Sequence, residues 1–433
     1  MPRDLSSIFK AYDIRGVYPD ELDEDAAARI GFAFVRFTAA DRIVVGRDMR
    51  TSSPSLALAV TEGAAAAGAV VVDVGEVSTD ALYYASGRLD VPGLMITASH
   101  NPARYNGLKP CREQAAPIGS DTGLADIRAL AERLETRPTA SHAAAEDLDI
   151  IPEYATHCRS LIDPASLRGL RVAIDAGNGM AGKTVPIVFD GLPFEIVPLF
   201  FELDGTFPNH PASPIEAENI RDLQEAVRRE GCDLGIAFDG DADRMFLVDE
   251  NAVPVSGSAT TAMVAERLLK KFPGEKIIYN LICSWTVPEV IEENGGIPIR
   301  TRVGHSFIKG VMAETGAIFG GEHSGHYYFR DNFRADSGMI AALIVLEALS
   351  DAGVPLSRLL EPFERYFSSG EINSEVIDQA GTIEKLSIAY EDAKQDRIDG
   401  LTVEYDDWWF NCRPSNTEPL LRLNLEARTQ RLM

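Results

Sequence analysis

Three related α/β domains with mixed, mainly parallel sheets, then a C-terminal α+β domain, all around a central cleft, are the fold this sequence predicts. Three observations carry the expectation. The first is length: 433 residues exceed what one core holds, and at about 150 residues per domain they divide into three or four. The second is a layout of apolar strand-like runs alternating with helical segments, repeated three times without a fixed period. The third is a change of pattern from about Glu371, where "LLRLNLE" alternates apolar and polar residues as a half-exposed antiparallel strand does.

In the first copy "RIVVGRD", from Arg42, reads as a buried strand. "SSPSLALAVTEGAAAAG" reads as a helix with Ser53 placed to cap it and Pro54 in its first turn. "AVVVDVG" and "GLMITASHNP" supply two further strands. The second copy has "LRVAIDAGNGMAGKTVPIVF", "FEIVPLF", the helix "NIRDLQEAVRREG" and "DLGIAFDGDADR". The third has "KIIYNLICSWTVPEVIEENG", "IPIRTRVG", a helix from Phe307 and "AIFGGEHSGH". Strands alternating with helices imply right-handed βαβ units and parallel pairing. Each copy ends in a polar, glycine-bearing motif, and open α/β sheets bind ligands beyond the carboxyl ends of their strands. The repeat therefore predicts that Ser99, Asp239 and Glu322 face one shared cleft. The expected domains are residues 1–150, 151–252, 253–368 and 369–433, with "ERLETRPTASHAAAEDLD" as a surface connection.

Composition narrows the function. A net charge of -25, from 66 acidic against 41 basic residues, leaves no basic face for nucleic acid. An anionic ligand would need a few placed cations against that field. The run "MIAALIVLEAL" from Met339 is interrupted by Glu347, which fits a buried helix and not a membrane span. The N-terminus lacks the apolar core of a secretory signal. Five cysteines without CxxC spacing fit neither a disulfide framework nor a zinc site. A cytoplasmic protein with no nucleic-acid, membrane or obligate protein partner is expected.

"DGDADR" sets Asp239, Asp241 and Asp243 at alternate positions of a tight turn between strand-like runs. Two carboxylates about 4 Å apart repel by about 4 kcal/mol at an effective dielectric near 20. Three together call for a cation or a proton, and hard oxygen ligands suit Mg²⁺ or Ca²⁺. The run from Asp239 to Glu250 nearly fits a calcium-binding helix-loop-helix, but Arg244 stands where that loop needs glycine and strands replace its helices. Arg244 beside a metal points to an anion as well.

Ser99, in "ITASHNPARYNGLKP", is harder to read. Pro102 biases Asn101 away from helical angles, so an extended loop is expected. A serine needs a base or metal to become a nucleophile, adjacency to His100 is not a triad, and no G-x-S-x-G elbow is present. From these residues alone a structural turn hydroxyl is favoured over a reacting one.

Five motifs in order resolve the choice by resemblance. "YDIRG", "TASHNP", "DGDADR", "GEHSGH" and "RPSNTEP" are similar to the N-terminal signature, phosphoserine, magnesium, sugar-binding and phosphate-binding loops of the α-D-phosphohexomutase superfamily. The resemblance covers nearly the whole chain, and its variants look most like the bacterial phosphomannomutases. It implies a phosphorylated Ser99 that exchanges its phosphoryl group with a hexose monophosphate through a hexose 1,6-bisphosphate. Mannose 6-phosphate and mannose 1-phosphate would thereby interconvert, with the bisphosphate as activator and activated mannose for polysaccharide downstream. It implies one Mg²⁺ per chain on Ser99, Asp239, Asp241 and Asp243, with Lys109 and Arg15 near the transferring phosphate and His326 as acid/base. Arg244 and Tyr12 would serve the substrate or the serine loop, which His100 and Asn101 orient. Glu322 and Ser324 would grip the sugar 3- and 4-hydroxyls, with His305 and Lys309 as further contacts. Arg413, Ser415, Asn416 and Thr417 would hold the non-reacting phosphate through charge-assisted and backbone donors.

Two departures accompany the resemblance. The chain ends soon after "NLEARTQRLM", where similar enzymes usually continue with a helix, so an uncovered face on the last sheet is expected. Trp285 stands where related mutases often carry a basic residue. Within the class, a phosphoglucomutase or a dual-specificity enzyme is the alternative, since Glu322 and Ser324 need not read C2. Outside it stand a metal-dependent sugar phosphatase and a non-catalytic phosphosugar-binding protein.

Overall fold

The computed structural model describes residues 3–140, 145–415 and 420–433, with His305 described by its backbone only. Two compact units emerge: Met1–Val255 with Ser324–Ser357, and Ser256–His323 with Arg358–Met433.

The first unit holds two sheets. In the first copy the strands Gly93–Ile96, Arg42–Arg47 and Val70–Glu76 lie side by side and parallel. In the second copy Leu234–Phe238, Leu170–Asp175 and Phe194–Leu199 repeat that order, again parallel. Each copy thus places its last strand beside its first, with the second strand on the far side. The point where strand order reverses is where an open α/β sheet presents a ligand crevice. Antiparallel strands extend both sheets: Tyr105–Cys111 and Ile14–Val17 flank the first, and Met245–Asp249 with Pro254–Val255 flank the second.

Helices cover the sheets for ordinary reasons. Asp23 caps the helix Glu24–Thr38 by accepting from the Ala26 N–H, and Glu24 and Asp25 complement its N-terminal dipole. That helix buries Ile30 and Phe34 with Leu56 and Val60 of Ser53–Ala66 over Ile43 and Val45. Each such side chain contributes roughly 1.5–3 kcal/mol on burial. The cap of the second helix is Ser52 and not Ser53, whose hydroxyl instead donates to Asp48 Oδ1 at 2.5 Å. Part of the expected surface connection is also a strand: Ala145–Asp147 pairs in parallel with Val71–Asp73 at the sheet edge. The run from Met339 is the buried helix Gly338–Ala352, where Glu347 accepts from the Asp163 N–H at 2.7 Å. No single helix among the described residues is long and apolar enough to cross a membrane.

In the second unit, Phe319–Gly321, Lys276–Asn280 and Ile297–Thr301 give the third copy of the same parallel order. The C-terminal sheet is antiparallel throughout, in the order Phe367–Glu375, Leu420–Ala427, Trp408–Pro414, Leu401–Glu404, Lys394–Asp396. The helix Gln379–Ala389 packs Ile383 against Leu401, Val403, Phe410, Cys412 and Leu421 on one face. The expectation of a bare second face is not met. Trp409, Asn411, Arg413, Asn424 and Glu426 alternate onto that face and are all buried. Glu426 accepts from the Trp285 N–H at 2.9 Å and from Trp409 Nε1 at 3.1 Å, while Trp285 Nε1 donates to Glu404 at 3.2 Å. Trp285 is therefore a packing and hydrogen-bonding residue against this sheet.

Candidate active site

The serine loop follows the strand Gly93–Ile96. It is a tight turn, correcting the expected extended loop: the Asn101 N–H donates to the Ala98 carbonyl at 3.0 Å and Ser99 takes a φ of 50°. A β-carbon in that left-handed region costs roughly 1–2 kcal/mol, so the loop must be held from outside. Thr97 Oγ1 accepts from the Ser99 N–H at 2.9 Å. Gly240 lies so close to the Ser99 carbonyl that a β-carbon there would sit 2.5 Å from its oxygen.

Residues 239–244 form the turn of the antiparallel hairpin that pairs Phe238 with Met245. Its three aspartates are buried, and one carboxylate oxygen from each lies within 4.8 Å of the others, a group able to hold a metal ion. Ser99 Oγ donates to Asp239 Oδ2 at 2.7 Å. Asp239 also accepts from Arg244 Nε at 2.9 Å, and Arg244 Nη2 lies 3.3 Å from Ser99 Oγ. Lys109 Nζ bridges Asp241 at 2.7 Å and Asp243 at 2.6 Å. Even so, Asp241 Oδ1 and Asp243 Oδ1 are buried with no hydrogen-bond partner among the described residues. Unsatisfied buried carboxylate oxygens are costly, and hard oxygens of this kind fit a divalent cation.

The electrostatics follow from burial and pairing. Burial pushes Asp239 up to about 7 against the pull of Arg244. For Asp243 burial is the largest influence and acts upward, but Lys109 together with His326 and Arg244 holds the carboxyl below the usual range. Burial would lower Lys109, yet Asp241 and Asp243 raise it above its ordinary value, so it is a fixed cation here. Burial, with Arg244, Arg15 and Lys109 around it, drives the His100 imidazole well below its ordinary value. Its Nδ1 lies 3.2 Å from Ser99 Oγ.

Arg15 and His326 lie at the same place, with Ser324 bonded to His326. Arg15 pairs across the strands with Gly107, two residues from Lys109, and its guanidinium binds the side chains of Asn101 and Asp13. His326 forms a backbone bridge with Arg244; its Nε2 is 3.9 Å from Asp243 Oδ1 and its Nδ1 3.0 Å from Ser324 Oγ. Tyr12 is half-buried. In the second unit Glu322, at the end of the strand Phe319–Gly321, accepts from Asn280 Nδ2 at 3.1 Å and the Gly304 N–H at 3.2 Å. Lys309 is buried on the helix His305–Thr315. Arg413 is buried and donates to Glu371 at 2.8 Å and Asn424 at 2.9 Å, while Arg422 reaches the other Glu371 oxygen at 3.1 Å. Ser415 is half-buried; Asn416, Thr417 and the His305 side chain lie outside the described residues.

Several residues of this centre escaped sequence reading. Thr79 grips Asp241 twice, by its N–H to the backbone carbonyl at 3.0 Å and by its hydroxyl to Oδ2 at 2.6 Å. Asp336, buried, joins Asp243 and His326 in a second close group. Asp48 and Arg50 anchor the serine loop. A signal was available: Asp48, Arg50 and Thr79 follow the carboxyl ends of the first and second strands, where the same ligand rule applies.

Comparison with known proteins agrees with this architecture. Models of the phosphoglucomutase/phosphomannomutase family match in order: alpha/beta/alpha domain I over residues 6–138, domain II over 152–252, domain III over 256–366 and the C-terminal domain over 371–433. A phosphomannomutase of Escherichia coli is 42% identical over 432 residues, covering 97% of this chain and 95% of that protein. A protein of Xanthomonas campestris pv. campestris described as phosphohexose mutases is 42% identical over 427 residues, with the same coverage. The crystal structure of a phosphoglucomutase/phosphomannomutase family protein from Burkholderia thailandensis superimposes with a TM-score of 0.91 at 35% identity, covering 100% of this chain and 95% of that one. With four family domains in order and a serine hydroxyl bonded into an acidic loop, the chain belongs to the phosphoglucomutase/phosphomannomutase family and is a phosphohexomutase.

Proposed function

We propose that this phosphohexomutase interconverts mannose 6-phosphate and mannose 1-phosphate through a phosphoserine at Ser99 and a hexose 1,6-bisphosphate, which also serves as activator. The observation that carries the reading is the Ser99 hydroxyl 2.7 Å from Asp239 in a buried three-aspartate loop. Asp239, Asp241, Asp243 and an oxygen on Ser99 would hold one Mg²⁺, consistent with the two unsatisfied carboxylate oxygens. When bound, that ion supplies Lewis-acid stabilisation of charge on the phosphoryl group.

The chain's own residues supply positioning and proton traffic, which phosphoryl transfer chiefly needs. Arg244, already at Ser99 Oγ, and Lys109, fixed as a cation, offset charge on the equatorial phosphoryl oxygens. Arg15 adds a further cation beside the loop that His100 and Asn101 orient. As the phosphoryl group leaves Ser99 Oγ for a sugar hydroxyl, one proton leaves that hydroxyl and one returns to the serine oxygen; His326 is the acid/base assigned to this exchange. Glu322 and Ser324 hold the sugar 3- and 4-hydroxyls in either orientation, with Tyr12, His305 and Lys309 as further contacts. Arg413, Ser415, Asn416 and Thr417 hold the phosphate that does not react. The working domain division is 1–150, 151–252, 253–368 and 369–433. A cytoplasmic location is consistent with five free cysteines.

The test is a coupled assay on mannose 1-phosphate and glucose 1-phosphate with catalytic glucose 1,6-bisphosphate, alongside intact mass. Isomerisation without net phosphate release, and one phosphate added in wild type but absent in Ser99→Ala, are expected. Free phosphate as the main product overturns the mutase mechanism in favour of a phosphatase. Equal efficiency on both sugars replaces mannose specificity with dual specificity.

A further inference from the structure

Arg50 is 1% exposed, and every N–H of its guanidinium is committed. Nε donates to Asp48 Oδ2 at 3.1 Å. Nη1 donates to the carbonyls of Pro102 and Tyr105, both at 3.0 Å. Nη2 donates to the carbonyls of Ser99 at 2.8 Å and Asn101 at 2.7 Å. A guanidinium has five N–H donors in a rigid plane, and four of these hold the serine loop by its backbone.

The clamp is itself braced. Asp48 Oδ1 accepts from the Arg50 N–H at 3.0 Å and from Ser53 Oγ at 2.5 Å. The Phe207 ring lies over the guanidinium with its centre 5.0 Å away. Gly205 of the same loop presses so closely that a β-carbon there would meet the Arg50 Cα at 2.4 Å.

We propose that Arg50 is a positioning residue for phosphoryl transfer. It holds the left-handed turn that aims the Ser99 hydroxyl at Asp239, and it acts through the loop backbone without touching substrate. The inference rests on the reading of Ser99 as the phosphate carrier. Its physical basis is the strained φ of 50° at Ser99, whose carbonyl Arg50 fixes on one side while Gly240 crowds it on the other. A reacting atom misplaced by about 1 Å costs on the order of 100-fold in rate. Lysine keeps the charge but concentrates its donors at one point, so it cannot serve four divergent carbonyls.

The test compares Arg50→Met, Arg50→Lys and Phe207→Leu with wild type in the mutase assay, and tracks Ser99 phosphorylation by glucose 1,6-bisphosphate. Arg50→Met is expected to lower kcat about 100-fold with KM for mannose 1-phosphate changed less than about threefold. Arg50→Lys falls between, and Ser99 phosphorylation slows in parallel. Low millimolar guanidinium should restore part of the kcat of Arg50→Ala. Full kcat in a folded Arg50→Met, or a loss confined to KM, overturns the proposal. Should the Arg50 variants fail to fold, Phe207→Leu, which leaves all five donors in place, decides: kcat lowered several-fold at constant KM supports the clamp, and unchanged kcat overturns it. A wild-type enzyme that takes no phosphate at Ser99 overturns instead the reading of Ser99 itself.

Discussion

The Ser99 cluster of the first unit and the arginine pair of the second handle charge in opposite ways. Around Ser99, three buried carboxylates face two buried cations, Lys109 and Arg244, which leaves a formal negative charge and two unsatisfied oxygens. Around Glu371, one carboxylate is shared by two arginines, Arg413 and Arg422, which leaves a formal positive charge. The first balance attracts a cation and the second an anion, although the whole chain carries -25. Asp239, Asp241 and Lys109 of the first set each make at least two side-chain bonds, an arrangement that limits reorganisation. If the acidic set serves transfer and the arginine pair serves phosphate binding, as proposed, their losses should separate in kinetics as kcat and KM.

The sharpest way to break this comparison is Asp241→Asn. It removes one charge from the acidic set while keeping the side-chain volume, and is expected to lower kcat by 100-fold or more with KM changed less than about threefold. A Mg²⁺ titration should show half-saturation moving to higher concentration. Wild-type turnover unaffected by removing Mg²⁺ with a chelator would remove the metal from the account.

A smaller effect is expected from Arg413→Met. If Arg413 holds the non-reacting phosphate as proposed, its loss should raise KM for both hexose phosphates about 10- to 100-fold while kcat stays within a few-fold. If kcat falls instead and KM holds, the division of labour between units is wrong.

The last effect is on stability and concerns the support behind the acidic loop. Asp80 is buried and accepts from Ser337 Oγ at 2.6 Å and from the Ser78 and Tyr154 hydroxyls. Its neighbour Thr79 grips Asp241. Burial pushes Asp80 up to about 6 from an ordinary 3.8. The folded state then holds this proton more tightly than the unfolded chain does. Its contribution is present below the ordinary value and is lost as pH rises through about 6, by about 3 kcal/mol in all. Thermal unfolding followed from pH 4 to 7 should therefore show wild type losing stability relative to Asp80→Asn, whose side chain does not titrate. Parallel curves for the two proteins would mean that Asp80 titrates normally.

How much could be read in advance differs element by element. The three strand-helix copies were legible because buried parallel strands are continuous apolar runs and their loops are polar and glycine-bearing. Ser99, Asp239 and Glu322 were legible as ends of matched third strands. The turn at Ser99 was not, because Pro102 restricts only its neighbour, while the groups that meet the Ser99 carbonyl, Arg50 and Gly240, come from distant parts of the chain. The buried second face of the C-terminal sheet was misread because Trp285 and the sheet residues Trp409 and Glu426 meet across a wide sequence separation.

By itself the sequence determined the periodicities, the order of the motifs and the residue types that can bind a metal, a sugar or a phosphate, since these depend on local spacing and side-chain chemistry. Tertiary structure alone decided which of those groups meet: that Lys109 lies between Asp241 and Asp243, that Thr79 holds Asp241, and that one arginine from an unremarked strand end holds the serine loop. The physical reason is range. Propensity and pattern act over a few residues, whereas hydrogen bonds and charge pairing are set by distances in space that only the packed chain defines.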